Sequence, residues 1–191
     1  MLTKKNLGNA LFLAVFLVII LVPSAKALVM QGLMEIGLFS PSIDQPKNTL
    51  NSDLSAIKFK DAKDKEVNLG DLSGKIIFLN FWATWCPPCL AEMPSIHKLH
   101  QQFGNEKDVV FLLVEVDSNF TKAQKYMDRK NYQMPVYALA SPIPKQIFSG
   151  SLPTTVVFDK KGRIAYQGVG AANYSNPKFI AFIKELQALQ H

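Results

Sequence analysis

Cysteine is nearly absent from this chain of 191 residues: there are two, with three histidines and two tryptophans. Two cysteines cannot build the multi-bridge framework that holds small secreted scaffolds together. With 48% hydrophobic residues the chain is also too apolar for intrinsic disorder. It contains no internal repeat and no low-complexity tract. A basic run interleaved with aromatics is missing too, which excludes the usual nucleic-acid footprint. No apolar run reaches the roughly 20 residues that span a bilayer.

What is present begins with a leader. Lys4 and Lys5 precede an unbroken apolar run of 13 residues, Ala10 to Val22, followed by Pro23-Ser24-Ala25-Lys26-Ala27. A basic start, a short apolar run and an A-x-A pattern read as a secretory signal peptide over residues 1–27; the other reading is an uncleaved anchor from about Leu7. The leader holds three lysines and no acid. Without it the formal charge of +6 becomes +3, so the basic balance is partly a leader effect. Export would put the protein at the extracytoplasmic face of the membrane or in the periplasm, and the N-terminus offers a means of membrane association.

Residues 28–54 read as an extension or linker, polar at its end with Pro41, Pro46 and Asn48. Its apolar start, Leu28 to Met34, leaves three readings open: a helix packed on the domain, a dimerisation segment, or membrane-proximal sequence. From residue 55 to 191 the pattern is that of one domain. Ala56–Phe59 and Val67–Leu69 flank a charged turn and predict a short hairpin or a strand followed by a loop. Lys75–Trp82 and Val109–Val116 are apolar on both faces, as buried parallel strands require. Helices are expected at Pro87–Phe103, Thr121–Lys130 and Asn176–Leu189, a strand at Pro135–Leu139 and a short helix around Lys145–Phe148. Thr154–Phe158 and Arg163–Gln167 predict a second hairpin across Asp159–Gly162. This order implies an α/β fold: a mixed sheet with helices on both faces and an N-terminal hairpin extension.

Cys86 and Cys89 fall where a central strand ends and a helix begins, the usual place for a site in an open α/β sheet. As a staple the pair would be weak, worth about 2 kcal/mol for so short a loop. As half of a zinc site it has no convincing second half, since His97, His100 and His191 do not complete one and the first two read as solvated helix positions. Redox chemistry is the better reading. An exchanger needs an exposed thiolate and a second thiol to resolve the mixed disulfide. At a helix N-terminus Cys86 is expected to have a lowered pKa. Pro87 and Pro88 lack N–H groups, leaving chiefly the Cys89 N–H to cap it.

The stretch Phe81-Trp82-Ala83-Thr84-Trp85-Cys86-Pro87-Pro88-Cys89 resembles thioredoxins, and in particular the TlpA/ResA-like thiol-disulfide oxidoreductases. Pro94, Glu92 and Leu152-Pro153-Thr154 extend the resemblance over about Ser55 to Leu189. It implies a thioredoxin-like fold, a cis bond before Pro153, and a substrate-docking edge at Leu152, Pro153 and Thr154 with Trp85 as its apolar rim. It also implies that Glu92 serves the resolving thiol Cys89, because Asn80 stands where thioredoxins carry an ionisable Asp; the bland alternative for Glu92 is a solvent-facing carboxylate. Protein disulfides are the implied substrates, among them heme-binding cysteines of apocytochromes c or a copper-site protein. A membrane electron donor would re-reduce the dithiol, and no organic cofactor is required. Two other readings are a Cu(I)-handling dithiol protein and a thiol peroxidase.

Overall fold

A computed structural model describes residues 4–35, 38–41, 43 and 54–189. Most of the polar part of the expected linker lies outside them. Two helices come first, α1 (Lys4–Leu21) and α2 (Pro23–Glu35), followed by a short 3-10 turn, Leu54–Ala56. The domain then runs β1 (Lys58–Asp61), β2 (Glu66–Asn68), a 3-10 turn Gly70–Leu72, β3 (Ile76–Trp82), α3 (Pro87–Phe103), β4 (Val109–Glu115) and α4 (Phe120–Lys130). It closes with β5 (Val136–Leu139), β6 (Thr154–Phe158), β7 (Ile164–Val169) and α5 (Pro177–Ala188).

All seven strands form one sheet in the order β2-β1-β5-β4-β3-β6-β7. β3, β4 and β5 run parallel and the remaining pairings are antiparallel, so the sheet is mixed, as the sequence pattern implied. Every residue of β3 is buried, consistent with a strand covered on both faces. Alternation then sorts its side chains. Ile76, Phe78 and Trp82 enter one core cluster, while Ile77, Leu79 and Phe81 enter another on the opposite face.

The helices are distributed less evenly than expected. The apolar stripes of α3, α4 and α5 all belong to the first cluster. On the second face the cover comes from Ile143, Ile147 and Phe148 and from the 3-10 turns through Leu54 and Leu72. The short helix expected at Lys145–Phe148 is only a turn, closed by Ile147 and Phe148 N–H groups on the Pro144 carbonyl. Ser141 and Ile143 each precede a proline, which disfavours helical backbone there, and Gly150 at φ 98° ends the segment downstream, so only one turn fits between them. The Phe148 ring nonetheless stacks on Phe81, with centroids 4.3 Å apart.

α3 passes through Pro94 without a break. Lacking an N–H, Pro94 leaves the Leu90 carbonyl without its helical donor, and the Tyr126 hydroxyl donates to it from α4 at 3.5 Å. His97 and His100 are half-buried rather than solvated: the first ring lies against Tyr132 and the second against Phe111. Burial pushes both imidazoles below their ordinary pKa.

Of the three readings for the apolar segment after the leader, the structure shows a helix packed on the domain. α2 crosses the expected cleavage point and buries Ala27 and Met34 against Ala91 of α3, with Met30, Phe39 and Ala171 alongside. α1, by contrast, exposes Leu11, Phe12, Leu13, Val15, Phe16 and Leu17. No single helix among the described residues is long and apolar enough to cross a membrane; α1 and α2 reach that length and composition only together, across an 89° bend.

Candidate active site

Cys86 is the N-cap of α3, immediately beyond the loop that leaves β3. Pro87 and Pro88 fill the first helical turn, so the N–H that reaches the Cys86 sulfur is that of Cys89, at 3.3 Å. The two cysteines form a disulfide with Cα atoms 5.3 Å apart. Cys89 is fully buried. Cys86 is the more accessible of the two, yet at 3% exposure it is far more covered than a freely presented thiol. Both sulfurs belong to the core cluster that contains Trp82 and Met93, which explains the difference from the expected open position.

Glu92 is not the surface carboxylate of the bland reading. It is fully buried, one turn beyond Cys89 on α3. Its Oε1 accepts from Asn80 Nδ2 at 2.8 Å, and its Oε2 accepts from the backbone N–H of Ala172 at 3.3 Å. Asn80 also donates to Thr155 Oγ1 at 2.8 Å, tying β3 to β6 beneath the site. Burial pushes the Glu92 carboxyl up to about 8, against the opposing pull of those two donors. A carboxyl in that range is half-ionised near pH 8 and still partly ionised at neutral pH, so it can both take and return a proton. The Tyr174 hydroxyl is buried in the same region, and burial pushes its phenol well above the ordinary value.

The Leu152–Pro153 bond is cis. Phe81 pairs with Thr154, which sets Pro153 beside the end of β3 and hence beside the loop carrying Cys86. Pro153 is buried and Leu152 half-buried. Thr154 is buried too, and its hydroxyl donates to the Ser151 carbonyl at 2.7 Å. The Pro153 carbonyl accepts from the Gly170 N–H, closing the loop onto the end of β7.

Trp82 is wholly buried and packs, whereas Trp85 is 60% exposed. The Trp85 indole N–H donates to Asp117 Oδ2 at 2.6 Å, so this exposed ring is oriented. Sequence reasoning missed Asp117, Thr155 and Ala172. Each joins the site through a contact 32 to 80 residues away in the chain, a separation at which no local pattern operates. Among the described residues no group of three or more His, Cys, Asp or Glu side chains is placed to hold a metal.

A vicinal dithiol at a helix N-terminus, beside a cis-proline loop on a mixed sheet of this order, defines a thioredoxin-like thiol-disulfide oxidoreductase. Comparison with known proteins agrees. The Redoxin family matches residues 49–179, and the chain belongs to that family. It is 30% identical over 128 residues to thiol-disulfide oxidoreductase ResA of Bacillus anthracis, covering 66% of this chain and 73% of that protein. It is 36% identical over 118 residues to thioredoxin-like protein YneN of Bacillus subtilis, covering 58% of this chain and 66% of YneN. The fold is shared with the thioredoxin domain of a thiol-disulfide oxidoreductase from Bacteroides vulgatus, at a TM-score of 0.56 and 20% identity over 75% of this chain and 98% of that one. It is shared too with StoA of Bacillus subtilis, at a TM-score of 0.54 and 18% identity over 71% and 99%. The protein is thus a thiol-disulfide oxidoreductase of the ResA-like type.

Proposed function

We propose that the protein is an exported disulfide reductase that acts at the outer face of the membrane, with Cys86 as nucleophile, Cys89 as resolving thiol and Glu92 as its base. The observation that carries this reading is the placing of a buried, hydrogen-bonded carboxyl one turn beyond the more buried of two paired cysteines. In the reduced protein the Cys86 thiolate attacks one sulfur of a substrate disulfide. A mixed disulfide forms and one substrate thiolate leaves. Cys89 then gives its proton to Glu92 and attacks the Cys86 sulfur. The second substrate thiolate departs, and the Cys86–Cys89 disulfide remains. Two electrons have passed to the substrate, and a membrane dithiol donor returns them. The two sulfurs carry the electrons, so no organic cofactor enters.

Trp85 and the Leu152-Pro153-Thr154 loop flank this chemistry from two sides and form the docking edge for an extended substrate chain. Heme-binding cysteines of an apocytochrome c would suit such a site, being a protein disulfide that must be reduced outside the cytoplasm. The basic leader and the exposed apolar face of α1 support export with retention at the membrane.

Trapping tests the assignment. With a disulfide-containing protein substrate, Cys89→Ser is expected to accumulate a mixed disulfide through Cys86, and Cys86→Ser to accumulate none. Accumulation by the second variant would reverse the two roles.

A further inference from the structure

α2 and the residues just after it hold the loop that caps Glu92. The loop between β7 and α5, residues 170–176, provides, among the described residues, the one backbone N–H that reaches the Glu92 carboxyl, from Ala172. Its neighbour Asn173 is gripped from the N-terminal segment at two points. The Asn173 N–H donates to the Phe39 carbonyl at 2.8 Å, and Asn173 Nδ2 donates to the Met34 carbonyl at 3.3 Å. Asn176 Nδ2 adds a bond to Ser40 Oγ at 3.0 Å. From below, Ser95 Oγ of α3 accepts from the Tyr174 N–H at 3.1 Å; its one hydroxyl proton is shared between the Glu92 carbonyl of its own helix at 2.8 Å and the Ala172 carbonyl at 3.3 Å. The loop is therefore held between α3 and the N-terminal segment, and the apolar contact of Ala27 and Met34 on Ala91 fastens that segment down.

We propose that α2 together with Phe39 and Ser40 is a positioning clamp for Glu92, which sets the proton chemistry of the resolving step by holding the Ala172 N–H against the carboxylate. The inference rests on the reading of Glu92 as base for Cys89. It assigns the N-terminal extension a function in the reaction; processing after Ala27 would remove the Ala27 contact and the first five residues of α2 but leave Met34, Phe39 and Ser40 in the mature chain.

The other groups around Glu92 do not offer a substitute for this donor. Asn80 from β3 is already engaged, with Thr155 from β6 behind it. Tyr166 from β7 and Tyr174 from the loop are phenols raised by burial and by the carboxylate itself. On its own helix, Cys89 titrates only when reduced. Among the described residues no lysine, arginine or histidine pairs with Glu92. Losing the Ala172 N–H would thus remove one of two donors to the ionised form and raise the pH at which Glu92 ionises.

The test uses the full chain in detergent with Met34→Asn and Phe39→Ala, neither of which touches the reacting atoms. Carboxyl-labelled NMR follows the Glu92 titration, and rapid quenching follows release of a preformed mixed disulfide on Cys86. Amide exchange at Asn173 confirms that the clamp has opened. Either variant is expected to move the Glu92 midpoint upward by about one pH unit, as loss of one hydrogen bond to a charged group implies. Release at pH 7 should slow by up to about tenfold, while attack of Cys86 on a small disulfide stays at the wild-type rate. An opened clamp with an unmoved carboxyl titration overturns the proposal. Glu92→Gln separates the two levels: if it leaves the pH profile of release intact, the role of Glu92 as base fails, whereas the NMR titration still decides the clamp.

Discussion

Replacing Glu92 with glutamine is expected to change the pH dependence of stability in a way that few surface substitutions can. In the folded protein the carboxyl ionises near pH 8, against about 4.5 for an ordinary glutamate. Between those values the unfolded chain loses the proton while the folded one keeps it. The folded state binds the extra proton, so its relative stability is complete below pH 4.5 and declines until the folded group also ionises near pH 8. At about 1.36 kcal/mol per pH unit, the interval amounts to about 5 kcal/mol. Glutamine does not titrate. It also puts an NH2 group against one of two fixed donors, Asn80 Nδ2 or the Ala172 N–H, at a constant cost of about 1–3 kcal/mol. Urea unfolding of the oxidised protein and its Glu92→Gln variant at pH 5, 6, 7 and 8 reads the difference directly. The variant should be the less stable at pH 5 and gain on the wild type steadily, overtaking it before pH 8. Other titrating groups cancel in the comparison. A stability difference that stays flat over this range would refute the burial argument for Glu92.

Asn80→Asp would set a second carboxyl 2.8 Å from Glu92 and remove a donor. Two such groups cannot both ionise at that distance. The pair is expected to retain one proton past neutrality, with stability lowered by about 1–3 kcal/mol at pH 7 and the pH profile of mixed-disulfide release displaced; an unaltered profile in stopped-flow measurements would count against the network. Asp117→Ala frees the Trp85 indole, whose N–H it accepts. KM for a protein substrate should rise about three- to tenfold, with the rate on a small disulfide unchanged, and an equal effect on both would deny Trp85 a docking role.

The parts of the molecule written in local pattern are legible in the sequence. The apolar run ending at Trp82 marked β3, and the Cys86-Pro87-Pro88-Cys89 stretch marked the start of α3. The periodicity through Met93, Ile96 and Phe103 carried that helix to its observed end. The Asp159–Gly162 turn likewise fixed the β6–β7 hairpin. What escaped depends on partners far along the chain. A half-buried His97 needs Tyr132, and a buried Glu92 needs a pocket built from β3, β6 and the loop before α5. The Lys145–Phe148 segment has apolar residues at helical spacing, but the prolines before it decided otherwise. The apolar residues of α2 look the same whether they face lipid, a second copy or the domain; only Ala91, Asn173 and the Phe39 carbonyl distinguish the last.

The account turns on Cys86 and Cys89 being a reducing dithiol, and their equilibrium with a glutathione redox buffer measures this most directly. Pro87 and Pro88 leave the Cys86 sulfur with the Cys89 N–H as its cap donor, so its thiolate is expected to be stabilised only in part and the disulfide to fall short of a strong oxidant. A midpoint near that of thioredoxin, about −270 mV, is the expected result. A midpoint near that of DsbA, about −120 mV, would make the protein an oxidant and contradict the proposed direction of electron flow.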